Sequence, residues 1–449
     1  MKSTIMIAAT GSGKGKTTFV TGLLKALKEN NNDMSVHAFK CGPDYIDPMF
    51  HKEVLGIPST NIDPFFCDND LLLKVFSNNA GDINVIEAAM GLYDGIGVSS
   101  RASAMETARI LKCKVVLVVD GSGMGYSIVP MIKGYLSMDS DKLISGVVIN
   151  RISEKYYYRI APVIESETGI KVFGFIPKIK GAELNSRHLG LMSPEESDFN
   201  NKLALIAEQI NKSVDIENIL KSGEDSLCNN FIKENSDLNN GYSFNDRKEL
   251  AGKKILVARD EAFSFIYEEN IKFLERQGAD IEYFSPIHDA KLSDDADAVI
   301  FYGGYPENYA RELAENKSMI ESVRLAASDK VKIIAECGGF MYLLNSIEVE
   351  GKTYDMAGII NGHAYRTSGL VRFGYVNIYD ISERTCKPMK AHEFHHYDSK
   401  DVVYSDVYTI KNEASGDEYK GFVKTDNVFA GFPHLYYLSC PEFVIKLLK

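Results

Sequence analysis

The chain contains no tryptophan in 449 residues, and its seven cysteines are scattered without a Cys-x-x-Cys pair. That pattern excludes a disulfide-framed secreted domain. It indicates reduced thiols in a cytoplasm, with one of them available as a nucleophile. No stretch approaches the roughly 20 consecutive apolar residues of a membrane-spanning helix. The opening MKSTIMIAATGSGKGK holds only a short apolar run that passes straight into a glycine-rich turn, so it reads as a buried strand and not a signal peptide. There is no Lys/Arg run, and 50 basic against 62 acidic residues give a net charge of −12. Nucleic acid and membranes are therefore disfavoured as partners, and small molecules are favoured. A homodimer is kept open as the assembly. Internal repeats and long low-complexity tracts are also missing.

What is present is a globular composition, 45% apolar, at a length that suits two domains. Apolar runs at 4–9, 35–40, 83–88, 114–120, 145–150 and 171–176 alternate with helix-like stretches, and so do those at 254–259, 280–284, 297–302 and 331–335. Strands apolar on both faces and separated by helices predict two α/β domains, each a mostly parallel sheet flanked by helices. Residues 195–221 read as one closing helix, and the polar, turn-rich 222–252 as a linker. The expected domains are thus 1–221 and 253–449.

The first domain carries ATGSGKGKTT at 9–18, after a strand and before a helix. Gly11, Gly13 and Gly15 would let backbone N–H groups converge on phosphate. Lys16 would reach the β/γ-phosphates of ATP, Thr17 would ligate Mg²⁺, and Thr18 completes the nucleotide-binding turn. Thr10 stands where the strict phosphate-loop pattern has glycine. KCGPDYIDP (40–48) places Asp44 and Asp47 in a proline-stiffened loop, as Mg²⁺ or substrate groups or as turn caps. Glu87 ends a strand where open α/β sheets place ligands and could hold Mg²⁺; Asp94 lies in the Gly-flanked loop beyond. Asp120 ends another strand, as a metal-site or capping residue. Asn150 could pair with an adenine edge.

The second domain carries VKIIAECGGFMYLL at 331–344, a strand, a tight turn and a helix with Cys337 at the turn. This is the arrangement of a nucleophile elbow, and a helix N-terminus is expected to lower the thiol pKa. The Gly338 N–H would lie beside the nucleophile, and Gly304, after the strand 297–302, would complete an oxyanion hole. A thiolate nucleophile needs a histidine. AHEFHHYD (391–398) and VFAGFPHLYY (428–437) compete; His434 is assigned as the base, and zinc at the first cluster is rejected because no Cys/His pair elsewhere has the spacing. Tyr436 stands where many glutamine amidotransferases have an orienting glutamate.

Taken in order, ATGSGKGKTT, KCGPDYIDP, EAAMGLYDG, RHLGL (187–191), ARDEAFSFIY (258–267), GGYPE, AECGGFMYL and HEFHHY resemble the cobyrinate a,c-diamide synthase family over nearly the whole chain. The resemblance implies a dethiobiotin-synthetase-like ATP domain joined to a triad-type glutaminase. It implies ATP- and glutamine-dependent amidation of the a and c acetates of a cobalt corrinoid through acyl phosphates. Lys16, Thr17 and Glu87 would then handle ATP and Mg²⁺. Asp44, Asp47 and Asp94 would lie near the reacting carboxylate, Cys337 would be the nucleophile and His434 its partner. Departures from the family pattern are Ala9, Lys14, Ala88, Tyr156, Ala391 and Tyr436. Nickel sirohydrochlorin is the alternative substrate. The alternative of another class is a P-loop ATPase switch carrying a degenerate glutaminase-like scaffold.

Overall fold

The computed structural model describes residues 2–30, 34–181, 196–229, 247–382 and 387–449, with the side chains of 196–199 excepted. It falls into two compact units, Met1–Tyr242 and Ser243–Lys449.

The first unit is built on seven strands: β1 Ser3–Ala9, β2 Val36–Cys41, β3 Ser59–Ile62, β4 Ile83–Glu87, β5 Lys114–Asp120, β6 Ile144–Asn150 and β7 Lys171–Ile176. They form one sheet in the order β3-β2-β4-β1-β5-β6-β7, and every pair is parallel. Each residue of β1 is buried, the signature of a strand covered on both faces. The helix Lys16–Asn30 buries Phe19, Val20, Leu23, Leu24 and Leu27, a stripe at helical spacing. That stripe meets Ile206 and Ile210 of a later helix in the same core.

Two expectations need correction here. The single closing helix is two, Glu196–Ser213 and Ile216–Glu224. The break falls where Val214 forms a bridge to Gly174 and Asp215 turns its side chain to cap the second helix through Asn218 N at 3.1 Å. The expected linker also starts later than residue 222. Ser226 donates Oγ–H to Thr4 O (2.7 Å), and Thr4 donates its hydroxyl to Asn229 Oδ1 (2.8 Å), all three residues being buried. Polar composition suggested a solvated segment, yet these side chains close hydrogen bonds beneath the start of β1. Residues 230–246 lie outside the described residues, and Leu250 is fully buried.

The second unit begins with β8 Lys254–Ala258, β9 Asp280–Phe284, β10 Ala298–Phe301 and β11 Lys332–Glu336. Eleven further strands follow: β12 Ser346–Val349, β13 Lys352–Asp355, β14 His363–Arg366, β15 Arg372–Asp380, β16 Met389–His395, β17 Tyr397–Lys400, β18 Tyr408–Asn412, β19 Glu418–Tyr419, β20 Phe422–Lys424, β21 Val428–Gly431 and β22 His434–Leu435. The main sheet has the order β20-β21-β11-β10-β8-β9, parallel except at its β20 edge. Two further sheets, β13-β12-β14-β17 and β19-β18-β15-β16-β22, are largely antiparallel and were not anticipated. Among the described residues no helix is long and apolar enough to cross a membrane.

Replacing Asn229 by Ala removes the acceptor of the buried Thr4 hydroxyl. We expect urea unfolding to show a loss of about 1–3 kcal/mol, the cost of an unsatisfied buried donor. A variant as stable as the parent would return 226–229 to linker status.

Candidate active sites

In the first unit the turn 10–15 joins β1 to the helix Lys16–Asn30. Side chains from later segments hold its carbonyls. Tyr135 Oη donates to Thr10 O (2.9 Å), Arg151 Nη2 to Gly13 O (3.0 Å) and Asn150 Nδ2 to Lys14 O (2.8 Å). Gly15 has φ +90, and a Cβ there would collide with the Asn150 amide. Asn150 therefore braces the phosphate loop with one of its two amide N–H groups, because β6 ends beside that loop. Asp120 accepts from Ser122 N (3.0 Å) and pairs with Arg151 at 2.9 Å and Lys14 at 3.6 Å. Its carboxylate is engaged as a cap and an ion-pair partner.

Glu87 ends β4, is fully buried, and lies in register with Ile7 on β1 and Lys40 on β2. Its Oε1 accepts from Thr17 Oγ1 (2.8 Å) and sits 3.7 Å from Lys16 Nζ and 3.4 Å from Lys40 Nζ. Lys40 also hydrogen-bonds Asp47 and lies 3.4 Å from Asp44. Burial opposes the Lys40 charge, but Asp47, Glu87 and Asp44 prevail and hold its pKa well above the usual lysine value. Burial, and then the like charge of Lys40, pushes Lys16 down. Burial and neighbouring Asp47 raise Asp44. His51 stands with Nε2 3.8 Å from Glu87 Oε2 and Nδ1 3.3 Å from Ser59 Oγ; burial drives it down to about 4, so it is neutral.

Lys40 and His51 were not singled out from the sequence. The available signal was a lysine inside the otherwise apolar run VHAFKC. Two of the expected acids have structural duties as well. Asp44 Oδ1 accepts from Ile46 N (2.9 Å) and Asp47 N (3.2 Å), and Asp94 Oδ2 accepts from Gly91 N (2.9 Å). Asp47, expected also as a metal ligand, is bound to the Lys40 ammonium, which competes with a cation for its oxygen.

In the second unit β10, β11 and β21 are adjacent, and the loops after their C-terminal ends carry the candidate residues. Cys337 follows β11 with φ +47 and ψ −105, a backbone conformation that L-residues rarely adopt and that fits a nucleophile elbow. Its N–H donates to Gly431 O at the end of β21 (2.8 Å). A Cβ on Gly338 would lie 3.1 Å from Gly304 N and 2.8 Å from Pro306 Cδ, so the two expected oxyanion-hole glycines meet backbone to backbone. His434 lies against Gly303, where any side chain would strike its Cε1, and Phe265 packs beside it at 6.3 Å between ring centres. The two histidine clusters do not compete. β16 pairs with β22 so that His392 is the cross-strand partner of His434. His395 stacks on Phe432 at 4.1 Å, and the fully buried Glu393 is bonded by the Tyr419 hydroxyl. Tyr436 is buried edge-to-face on Tyr267 at 5.4 Å.

The protonation states differ from expectation. Burial, then the acidic neighbours Glu307, Glu393 and Glu336, pushes the Cys337 thiol up. A six-residue helix does not outweigh them. Burial, then His392 and His395, pushes His434 down to about 3. Burial therefore favours the neutral form of both the thiol and the imidazole.

Two family descriptions match this chain. Residues 5–191 match the CobQ/CobB/MinD/ParA nucleotide binding domain, and residues 254–441 the CobB/CobQ-like glutamine amidotransferase domain. RHLGL (187–191) lies outside the described residues. Full-length relatives are similar throughout. The cobyrinate a,c-diamide synthase of Clostridium tetani is 36% identical over 457 residues, covering 100% of both chains. That of Fusobacterium nucleatum is 37% identical over 447 residues and covers 98% of each chain. That of Listeria innocua is 34% identical over 455 residues, covering 99% of this chain and 98% of its own. With two domain matches in sequence order and relatives aligned end to end, the chain belongs to the cobyrinate a,c-diamide synthase family.

Proposed function

We propose that this chain amidates the a and c acetate carboxylates of cobyrinate, using ATP and ammonia taken from glutamine. The observation that carries the reading is the coexistence of two sites in one chain. One is the Lys16–Thr17–Glu87 constellation at the end of a parallel sheet; the other is the strained Cys337 turn, whose neighbour Gly338 meets Gly304 while His434 lies against Gly303. A nucleotide switch has no use for the second.

A carboxylate is a poor electrophile and has to be activated. One of its oxygens attacks the γ-phosphorus of ATP, ADP leaves, and an acyl phosphate results. Ammonia then adds to the acyl carbon and phosphate departs. Catalysis here consists of positioning and charge neutralisation. Lys16 supplies positive charge at the phosphates. Lys40 offsets Asp44, Asp47 and Glu87, so a polyanionic substrate can approach. The side-chain bonds to the carbonyls of residues 10, 13 and 14 favour a loop whose amides face phosphate. Thr17 and Glu87 are the residues that would hold Mg²⁺. They offer hard oxygen donors, and the buried Glu87 Oε2 has no hydrogen-bond partner among the described residues. When bound, Mg²⁺ would add positive charge at the phosphates.

In the second unit the Cys337 proton passes to His434 as sulfur attacks the glutamine amide carbon. The oxyanion faces the N–H groups of Gly304 and Gly338. His434 returns the proton to the leaving ammonia, and water hydrolyses the thioester to glutamate. The six described cysteines are buried and no disulfide joins them, which fits a reducing cytoplasm.

Cys337→Ser should abolish glutamine-dependent amidation and leave amidation with ammonium salts, followed as ADP release and product mass. Full glutamine use by this variant would remove the nucleophile assignment.

Lys40→Met keeps the length but leaves three carboxylates without their shared counter-charge. Turnover should drop by about 10²–10³ with either nitrogen donor, the scale of losing one preorganised electrostatic group. Hydrolysis of glutamine should persist. Ammonium-dependent turnover at the parent rate would reduce Lys40 to a structural ion.

The neutral thiol makes a pH prediction. A group whose pKa is raised is protonated at neutral pH, so alkylation of Cys337 in the free enzyme should climb with pH to beyond the ordinary thiol value of about 8.5. A plateau extending into acid, as given by a thiolate–imidazolium pair, would contradict the neutral resting state.

A further inference from the structure

β22 consists of two residues, His434 and Leu435, and pairs with β16 only through Ala391–Leu435 and His392–His434. So short an edge strand has little backbone pairing of its own to fix the candidate base. Side chains supply the rest. Glu336, 2% exposed and immediately before Cys337, accepts from Leu435 N through Oε2 at 3.1 Å. Asn270, fully buried, donates Nδ2–H to Leu435 O at 2.9 Å and accepts from Tyr437 N at 2.9 Å. Both backbone groups of the residue after His434 are therefore held from the side, and one of the two holders is the residue before the nucleophile.

We propose that Glu336 and Asn270 are positioning residues that set His434 opposite Cys337. The inference rests on the reading of Cys337 as nucleophile and His434 as base. Glu336 ties the nucleophile strand to the base segment by a single bond spanning 99 positions of sequence. Asn270 stops that segment from sliding along the sheet edge. The chemistry needed from Glu336 is an acceptor toward Leu435 N and a polar second atom toward the buried hydroxyl of Tyr437. Burial raises the acid well above its usual range, so what its position needs is hydrogen bonding rather than charge. Glutamine reproduces both features, whereas leucine of similar size reproduces neither and strands the Leu435 N–H.

The test uses the full-length protein. Glu336→Leu should lower kcat for glutamine hydrolysis by about 10²-fold, the expected cost of a misplacement near 1 Å, with KM for glutamine nearly unchanged. ADP release with cobyrinate and ammonium chloride should be unaffected. Glu336→Gln should restore kcat. Asn270→Asp, which keeps the acceptor and loses the donor, should lower kcat in the same selective way and carries the test by itself if Glu336→Leu does not fold. Parent-like kcat in Glu336→Leu, equal failure of the Gln and Leu variants, or parallel loss of the ammonium reaction would overturn the proposal. Cys337→Ser and His434→Ala are measured alongside. If those two still hydrolyse glutamine, the underlying assignment has failed, independently of Glu336.

Discussion

A carboxylate at the sealed end of a central parallel strand cannot remain charged without a partner, and Glu87 sets that constraint for the first unit. It has no exposure, and its neighbours are the Lys16 and Lys40 ammonium groups and the Thr17 hydroxyl. Pairing of β4 with both β1 and β2 brings those groups together: β1 delivers the phosphate loop, and β2 delivers Lys40 in register. Asp44 and Asp47 then arrive on the loop after β2 and share the same lysine. The strand order, the short loops and the ion network are one arrangement, because moving any of these strands would leave a buried charge unpaired.

The second unit meets a similar topological situation by different means. Three adjacent strand ends converge there too, yet burial opposes charge on the groups that meet, raising the Cys337 thiol and the Glu336 carboxyl and lowering the His434 imidazole. Hydrogen bonds and close glycine contacts do the positioning that ion pairs do in the first unit. Neutral groups are the less costly choice in so dry a place, since a burial that suppresses charge leaves their hydrogen bonds intact.

The sequence made the parallel strands legible because runs such as KVVLVVD and AVIF are apolar on both faces. Cys337 was legible because two glycines follow it at a strand-to-helix turn, and the phosphate loop for an equivalent reason. Most of the strands between 346 and 419 were not, being short and carrying exposed side chains, as in KTYD and HAYR. Lys40 and Glu336 escaped because a lone charged residue at or next to the end of an apolar strand looks like the first solvated residue of a loop. Only the pairing of strands shows that each faces inward. Asn150 was read for what its amide can recognise, while the adjacency of β6 to the phosphate loop engages one of its two N–H groups with Lys14 O. His392 and His434 looked like rivals because 42 positions separate them in sequence; antiparallel pairing makes them neighbours.

The burial of Cys337 has an oxidative consequence. Peroxides attack thiolates far faster than thiols, and only where they can reach sulfur. A cysteine 7% exposed and held protonated presents neither condition at rest. On the proposed role of Cys337, the nucleophile would thus be chemically quiet between turnovers and become reactive only when its proton moves to the imidazole. The residue proposed to release nitrogen is in this way also sheltered from sulfenic acid formation, with no disulfide partner required to protect it.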